Sequence, residues 1–114
     1  MCGIAGILNY KGNIDSKELV VDMLDAINYR GPDERGIYYS KDITLGNARL
    51  SIIDLKGGTQ PLSDQTGRYW IVYNGEIFNY LEIKEELLKE GYTFSTDSDT
   101  EVLVQLFSRD KEKC

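Results

Sequence analysis

The chain has no histidine, two cysteines, two prolines and one tryptophan among its 114 residues. Without histidine, a cysteine–histidine catalytic pair cannot form within this chain. The cysteines, Cys2 and Cys114, sit at opposite ends, unlike the even, closely spaced set that staples a small secreted domain. No apolar run reaches membrane-spanning length, and Met1-Cys2-Gly3-Ile4 lacks the basic start of a secretory signal. Positive charge is scarce: 13 Lys and Arg against 19 Asp and Glu leave a net charge of −6. That balance argues against a nucleic-acid backbone or an anionic membrane surface as the main partner. The expected setting is cytoplasmic, where a thiol stays reduced.

What is present reads as globular, with 41% hydrophobic and 28% charged residues, and the length allows one domain at most. The apolar run Gly3–Leu8 has no helical period and predicts a buried strand that would hold the N-terminus rigid. Residues 9–13 carry turn chemistry. Ser16 is then a candidate cap, with Leu19, Val20, Met23, Leu24 and Ile27 on one face of the helix that follows. Arg30-Gly31-Pro32-Asp33 ends it in a stiff loop, because Pro32 lacks an N–H and restricts Gly31. Strands are expected at Gly36–Tyr39, Ile43–Gly46 and Leu50–Ile53, with Lys41-Asp42 at a hairpin tip. Residues 57–61 read as a mobile connection able to close over a site.

The aromatic, β-branched run Tyr69–Tyr73 predicts another strand. It leads into Asn74-Gly75, a pair that normally marks a hairpin turn. Asn79 is placed as the cap of a helix running to about Glu90, with Leu81, Leu87 and Leu88 inward and Gly91 as terminator. A short strand at Tyr92–Ser95 leads to Ser98-Asp99-Thr100-Glu101, a capping-box pattern. Val102, Leu103, Leu106 and Phe107 form the apolar stripe of the last helix. Strands and helices in this order suggest a layered α+β domain, with one side of its sheet poorly covered by the helices present.

The chemistry centres on Cys2. Removal of Met1 would leave a thiol and a free α-amine on one residue, and an amine of pKa near ~7.7 serves as a base at neutral pH. A thiol attacking a carbonyl needs oxyanion donors fixed in advance, and Asn74-Gly75 offers a side-chain amide and an unobstructed N–H. If the substrate were an amino acid, Arg49 suits its carboxylate, and Asp99 and Glu76 suit its ammonium. Each assignment has an ordinary alternative. Asn-Gly is commonly a turn, Arg49 a surface charge, Asp99 part of a helix start, and Cys2 an incidental small residue.

Six blocks occur in order: Met1-Cys2-Gly3-Ile4-Ala5-Gly6, Arg30-Gly31-Pro32-Asp33, Arg49-Leu50-Ser51-Ile52-Ile53-Asp54, Gly58-Thr59-Gln60-Pro61-Leu62, Tyr73-Asn74-Gly75-Glu76-Ile77-Phe78-Asn79-Tyr80 and Ser98-Asp99-Thr100-Glu101-Val102. Over residues 1 to about 107 the chain resembles the glutaminase domain of glutamine-hydrolysing asparagine synthetases. Those are class II glutamine amidotransferases of the N-terminal nucleophile hydrolase superfamily. The sugar-phosphate and purine branches share the Cys-Gly-Ile start and the Asn-Gly, but the Arg-Leu-Ser-Ile-Ile-Asp and Gly-Gly-Thr-Gln-Pro blocks resemble the asparagine synthetase branch more closely.

The resemblance implies an αββα sandwich of two antiparallel sheets between helical layers. It implies that Cys2 is the nucleophile and that Asn74 and Gly75 form the oxyanion hole. Arg49, Glu76, Asp99 and the Ile52-Ile53 backbone, together with Asn74 and Gly75 themselves, would bind glutamine. Glutamine would be hydrolysed through a γ-glutamyl thioester. The ammonia would pass to a C-terminal synthetase domain, in cis or in trans, that converts aspartate to asparagine with ATP and Mg²⁺. No cofactor or metal is assigned to this chain, and a homodimer of the full-length protein stays open.

The chain departs from the pattern at Asn47, where the family usually has His, which reads as a variant of packing or hydrogen bonding. It also departs in length, since the family domain continues past Cys114 with further strands. The expectation is therefore a partial glutaminase domain over residues 1–114, with its second half and the synthetase domain absent. Two alternatives remain: a truncated, non-catalytic glutamine-binding or interaction module, and a class II glutaminase serving another acceptor.

Overall fold

A computed structural model describes residues 2–50 and 58–114, so the expected strand end and pocket backbone at Ile52 and Ile53 lie outside the described residues. The described residues divide into two compact units, one of residues 2–50, 59–61 and 72–74, the other of 58, 62–71 and 75–114. Both mix helix and strand, as an α+β chain should.

The first unit is a three-stranded antiparallel sheet under one helix. Strands β1 (Gly3–Leu8), β2 (Glu34–Tyr39) and β3 (Ile43–Arg49) stand in the order β1-β3-β2. Strands β2 and β3 run longer than their apolar runs, because ladder hydrogen bonds do not require apolar side chains: β2 begins at Glu34 and the central β3 continues to Arg49. Helix α1 (Ser16–Ala26) starts one residue earlier than a Ser16 cap would place it, with Asp15 as the cap. The Asp15 carboxylate accepts the Glu18 N–H at 3.2 Å, and the buried Ser16 hydroxyl instead meets Thr44 at 2.7 Å.

The face of α1 that packs is narrow. Val20 and Leu24 are wholly buried with Ala48, flanked by Ala5, Ile7, Ile27 and Ile37. Leu19 and Met23, expected inward, are exposed. The strands opposite α1 carry small residues, Gly3 and Ala5 on β1 and Gly46 and Ala48 on β3, so one close-lying helical stripe fills the layer. Each aliphatic side chain fully buried there contributes roughly 1.5–3 kcal/mol.

The second unit joins a short hairpin to two helices. Strand β4 (Leu62–Ser63) pairs with β5 (Trp70–Ile71), Leu62 opposite Ile71. The turn between them is organised by Asp64, whose carboxylate accepts the N–H groups of Thr66, Arg68 and Tyr69 and the hydroxyls of Thr66 and Ser108. Strand β5 is shorter than the expected Tyr69–Tyr73, and the Tyr73 N–H is taken by the Gln60 side chain instead of a ladder partner. Asn74-Gly75 forms no hairpin; the chain runs on to α2 (Tyr80–Lys89).

Asn79 stands at the start of α2 without a side-chain capping bond, and Gly91 (φ 94°) lies just past its end. Leu87 is buried, whereas Leu81 and Leu88 face solvent. Helix α3 (Asp99–Asp110) begins as expected, with the Ser98 hydroxyl accepting the Glu101 N–H at 3.2 Å. The reciprocal arm of a capping box is diverted. Buried Glu101 takes the N–H and hydroxyl groups of Ser95 and Thr96, and the Ser98 N–H turns to the Thr96 hydroxyl.

That diversion helps explain why Tyr92–Ser95 is not a strand. The Thr93 N–H donates to Gln65 Oε1, and the Thr93 carbonyl accepts from Gln105 Nε2, so side chains occupy the backbone groups a ladder would use. On α3, Val102 and Val104 are buried with Thr100, Glu101 and Gln105. Phe107 lies at the surface, its ring edge-on to Tyr69 with centroids 5.4 Å apart.

Candidate active site

The register of the first sheet locates Cys2. Gly3 pairs with Ala48 and Ile4 with Asn47, so extending this register one residue past the start of β1 sets Cys2 opposite Arg49. Side chains alternate faces along a strand. Ala48 and Thr44 face α1, which puts Asn47 and Arg49 on the other face of the sheet, together with Cys2. The β2–β3 pairing adds Glu34 opposite Arg49 and Gly36 opposite Asn47. The rows Arg49–Glu34 and Ile4–Asn47–Gly36 thus lie side by side on the face turned away from the helix, with Cys2 at the end of the first by extension of the register.

Cys2 is half-buried and its thiol is free. The loop ahead of β2 braces its backbone. Arg30 Nε donates to the Cys2 carbonyl at 3.4 Å, and the Asp33 N–H donates to the Arg49 carbonyl at 3.1 Å. A side chain at Gly31 would stand 2.1 Å from the Ala48 carbonyl oxygen, so only glycine lets this loop lie against β3. The stiff turn read from Pro32 is therefore a support for the ends of β1 and β3.

Arg49 is not a surface charge. Its side chain is 16% exposed and pairs through Nη1 with Glu34 Oε2 at 3.4 Å. The other Glu34 oxygen accepts the Thr59 hydroxyl at 2.8 Å. Residues 58–61, expected as part of a mobile connection, are fastened at Thr59 and Gln60. Gln60 is buried, and its Oε1 accepts from Asn47 Nδ2 at 3.3 Å and from the Tyr73 N–H at 2.6 Å. Asn47 is buried within hydrogen-bonding reach of that amide, in keeping with a hydrogen-bonding replacement at its position. Asn74 follows Tyr73 in the same unit and is exposed.

The remaining candidates lie in the second unit. Gly75 and Glu76 are exposed, and Asp99, the first residue of α3, accepts the Ile77 N–H through Oδ2 at 3.0 Å. Asp99 and Glu76 are thereby brought onto one short stretch of that unit. Among the described residues, no group of three or more His, Cys, Asp or Glu is arranged to hold a metal ion, and no helix is long and apolar enough to cross a membrane. Cys114 is free and exposed at the far end of the chain.

A family model described as a glutamine amidotransferase domain matches residues 1–114. The chain belongs to that family. Among curated relatives, glutamine-hydrolyzing asparagine synthetase 1 of Bacillus subtilis is 47% identical over 116 residues, covering 99% of this chain and 18% of that protein. Glutamine-hydrolyzing asparagine synthetase B of Escherichia coli is 35% identical over 108 residues, covering 94% and 19%. A protein named amidase chry2 from Gibberella zeae is 38% identical over 120 residues, covering 94% and 18%. The chain thus spans about a fifth of the length of these relatives.

Membership in the amidotransferase family agrees with the resemblance carried by the six motif blocks. Glu34 and Gln60 are the residues sequence reasoning missed. Gln60 stood inside a quoted block, as part of a loop. Glu34 becomes visible only through the strand register, which sets an acid across from Arg49.

Proposed function

We propose that this amidotransferase domain hydrolyses glutamine to glutamate and ammonia, with Cys2 as nucleophile, as part of an asparagine synthetase-type protein in the cytoplasm. The observation that carries the reading is the β1–β3 register, Gly3 opposite Ala48, whose extension by one residue puts Cys2 beside Arg49 on the sheet face opposite α1 and so supports a shared role. The family match and the names of the relatives support the choice of glutamine. The resemblance supports the wider fold as well: an αββα sandwich of the N-terminal nucleophile hydrolase type, of which residues 1–114 are a part.

In this reading Met1 is removed and the α-amine of Cys2 takes the thiol proton. The sulfur attacks the side-chain amide carbon of glutamine. Asn74 and the Gly75 N–H stabilise the oxyanion that forms. Collapse breaks the carbon–nitrogen bond, the protonated amine supplies the proton that leaves with ammonia, and a γ-glutamyl thioester remains. Water then adds to the thioester, glutamate departs, and the thiol is regenerated. Arg49 holds the α-carboxylate of glutamine, while Asp99 and Glu76 take its ammonium. Ile52 and Ile53 keep the role of lining backbone, outside the described residues. ATP and Mg²⁺ belong, in this proposal, to the synthetase domain supplied in cis or in trans, and no step here runs through them.

The test is intact-mass spectrometry before and after incubation with the glutamine-like electrophile 6-diazo-5-oxo-norleucine. Loss of Met1 and a single adduct on Cys2 is the expected result. An intact Met1 would remove the proposed base and sink the mechanism. A Met1-free chain that never labels would favour a non-catalytic glutamine-binding module. The amidase name among the relatives supports a second reading, in which the same glutamine chemistry serves another acceptor. Formation of asparagine from aspartate, ATP, Mg²⁺ and glutamine by the protein as its source makes it separates the two.

A further inference from the structure

We infer that Gln60 is a positioning residue, whose side-chain oxygen fixes the backbone leading into Asn74 relative to the strand that pairs with the Cys2 segment. The inference rests on the glutaminase reading above. Gln60 Oε1 receives two donors from different parts of the first unit, Asn47 Nδ2 from β3 at 3.3 Å and the Tyr73 N–H at 2.6 Å. Both Asn47 and Gln60 are buried, at 1% and 8% exposure, so the link is shielded from exchange with water.

The Gln60 side chain is itself held before it is used. A Cβ at Gly36 would stand 1.7 Å from the Gln60 carbonyl oxygen, so the backbone there lies directly on β2. Beside it, Thr59 is tied to Glu34. A continuous set of contacts therefore runs from β1, which begins just after Cys2, across the ladder to Asn47 on β3, through Gln60 to Tyr73, and by one peptide bond to Asn74. A nucleophile and an oxyanion donor work together only when their separation is fixed in advance. A misplacement of about 1 Å costs on the order of 100-fold in rate. Residues 72–74 lie outside any strand of the described structure, so a side chain supplies the constraint that a ladder would give elsewhere.

An oxyanion donor acts in the transition state and hardly at all on bound substrate, so displacing it lowers kcat and leaves KM in place. The experiment compares Gln60→Met, which keeps length and loses the acceptor, with Gln60→Glu, which keeps it, in the protein as its source makes it. We expect Gln60→Met to lower kcat for glutamine hydrolysis about tenfold to 100-fold, with KM within about twofold. Gln60→Glu should retain most of the rate. Hydrogen exchange at the Tyr73 amide should quicken in Gln60→Met and stay slow in Gln60→Glu.

Asn47→Asp provides a second route with little change in volume. A carboxylate facing Gln60 draws the amide nitrogen toward it, the Tyr73 N–H loses its acceptor, and the same fall in kcat should follow. A kcat unchanged in both Gln60→Met and Asn47→Asp, or a loss confined to KM, overturns the inference and leaves the glutaminase reading standing. A wild-type protein that does not hydrolyse glutamine overturns both.

Discussion

Arg49 shares its guanidinium with a neighbour of opposite charge, and that sets what its replacement should do. Glu34 competes for the cation that the proposed reaction gives to the α-carboxylate of glutamine. Charge-assisted hydrogen bonds of this kind are worth about 1.5–3 kcal/mol, or roughly tenfold to 100-fold in binding. Arg49→Ala is expected to raise KM for glutamine by that factor, whereas Glu34→Gln should lower it severalfold by removing the competitor. Steady-state kinetics on both variants checks the pair, and an unchanged KM in Arg49→Ala would move the carboxylate site elsewhere. Asp64 gives a second prediction at this scale. Burial opposes its ionisation, but hydrogen bonds from the Thr66 and Ser108 hydroxyls and the Tyr69 and Thr66 N–H groups outweigh that and lower its pKa from 3.8 to about 2. Because the folded value lies below the unfolded one, its contribution is present above pH 3.8 and is lost as the pH falls through about 2. Stability should therefore fall on acidification by on the order of 1–2 kcal/mol through this group, and Asp64→Asn should remove that part of the pH dependence. Urea titrations between neutral pH and pH 2 would measure it.

Among the elements, α3 is the one whose start does the most for its surroundings. The Ser98 hydroxyl caps it, and the Glu101 carboxylate one turn on closes the backbone of residues 95 and 96. Ser98→Ala should cost about 1 kcal/mol, the usual worth of a side-chain cap. Glu101→Ala should cost more, roughly 2–4 kcal/mol, since it strands two backbone N–H groups and two hydroxyls at once. Denaturant midpoints in the two variants would rank them, and a larger loss in Ser98→Ala would contradict the arrangement. Similar logic explains which helical faces were legible. Val20, Leu24 and Leu87 pack where a period of 3.6 puts them, but the sequence marks more apolar positions on α1 and α2 than the narrow layers can cover.

At the scale of the whole molecule, the chain does not divide at one point. Residues 59–61 and 72–74 return to the first unit, while those between and after them build the second. A chain ending at residue 57 would keep β1, α1, β2 and β3 but lose Thr59, the acceptor for Asn47 and the segment reaching Asn74. We expect it to melt well below the full chain, followed by circular dichroism. An identical melting temperature would mean that the returning segments add nothing to the first unit. Within the two units, the acidic residues Glu34, Asp64 and Glu101 are each engaged by donors.

The sequence by itself determined the family, the strand after Cys2, the three helices and the cap at Ser98. These are local signals, carried by neighbouring residues through hydrophobic period, capping chemistry and motif order. It also marked Cys2, Arg49, Asn74, Gly75, Glu76 and Asp99 as chemically apt without saying which share a face. The tertiary structure decided that Glu34 stands opposite Arg49, that Gln60 is an anchor, and that residues 92–95 stay out of a sheet. Each of those depends on which backbone and side-chain groups meet across long stretches of chain, and no local pattern encodes a ladder register or the partner a buried amide finds.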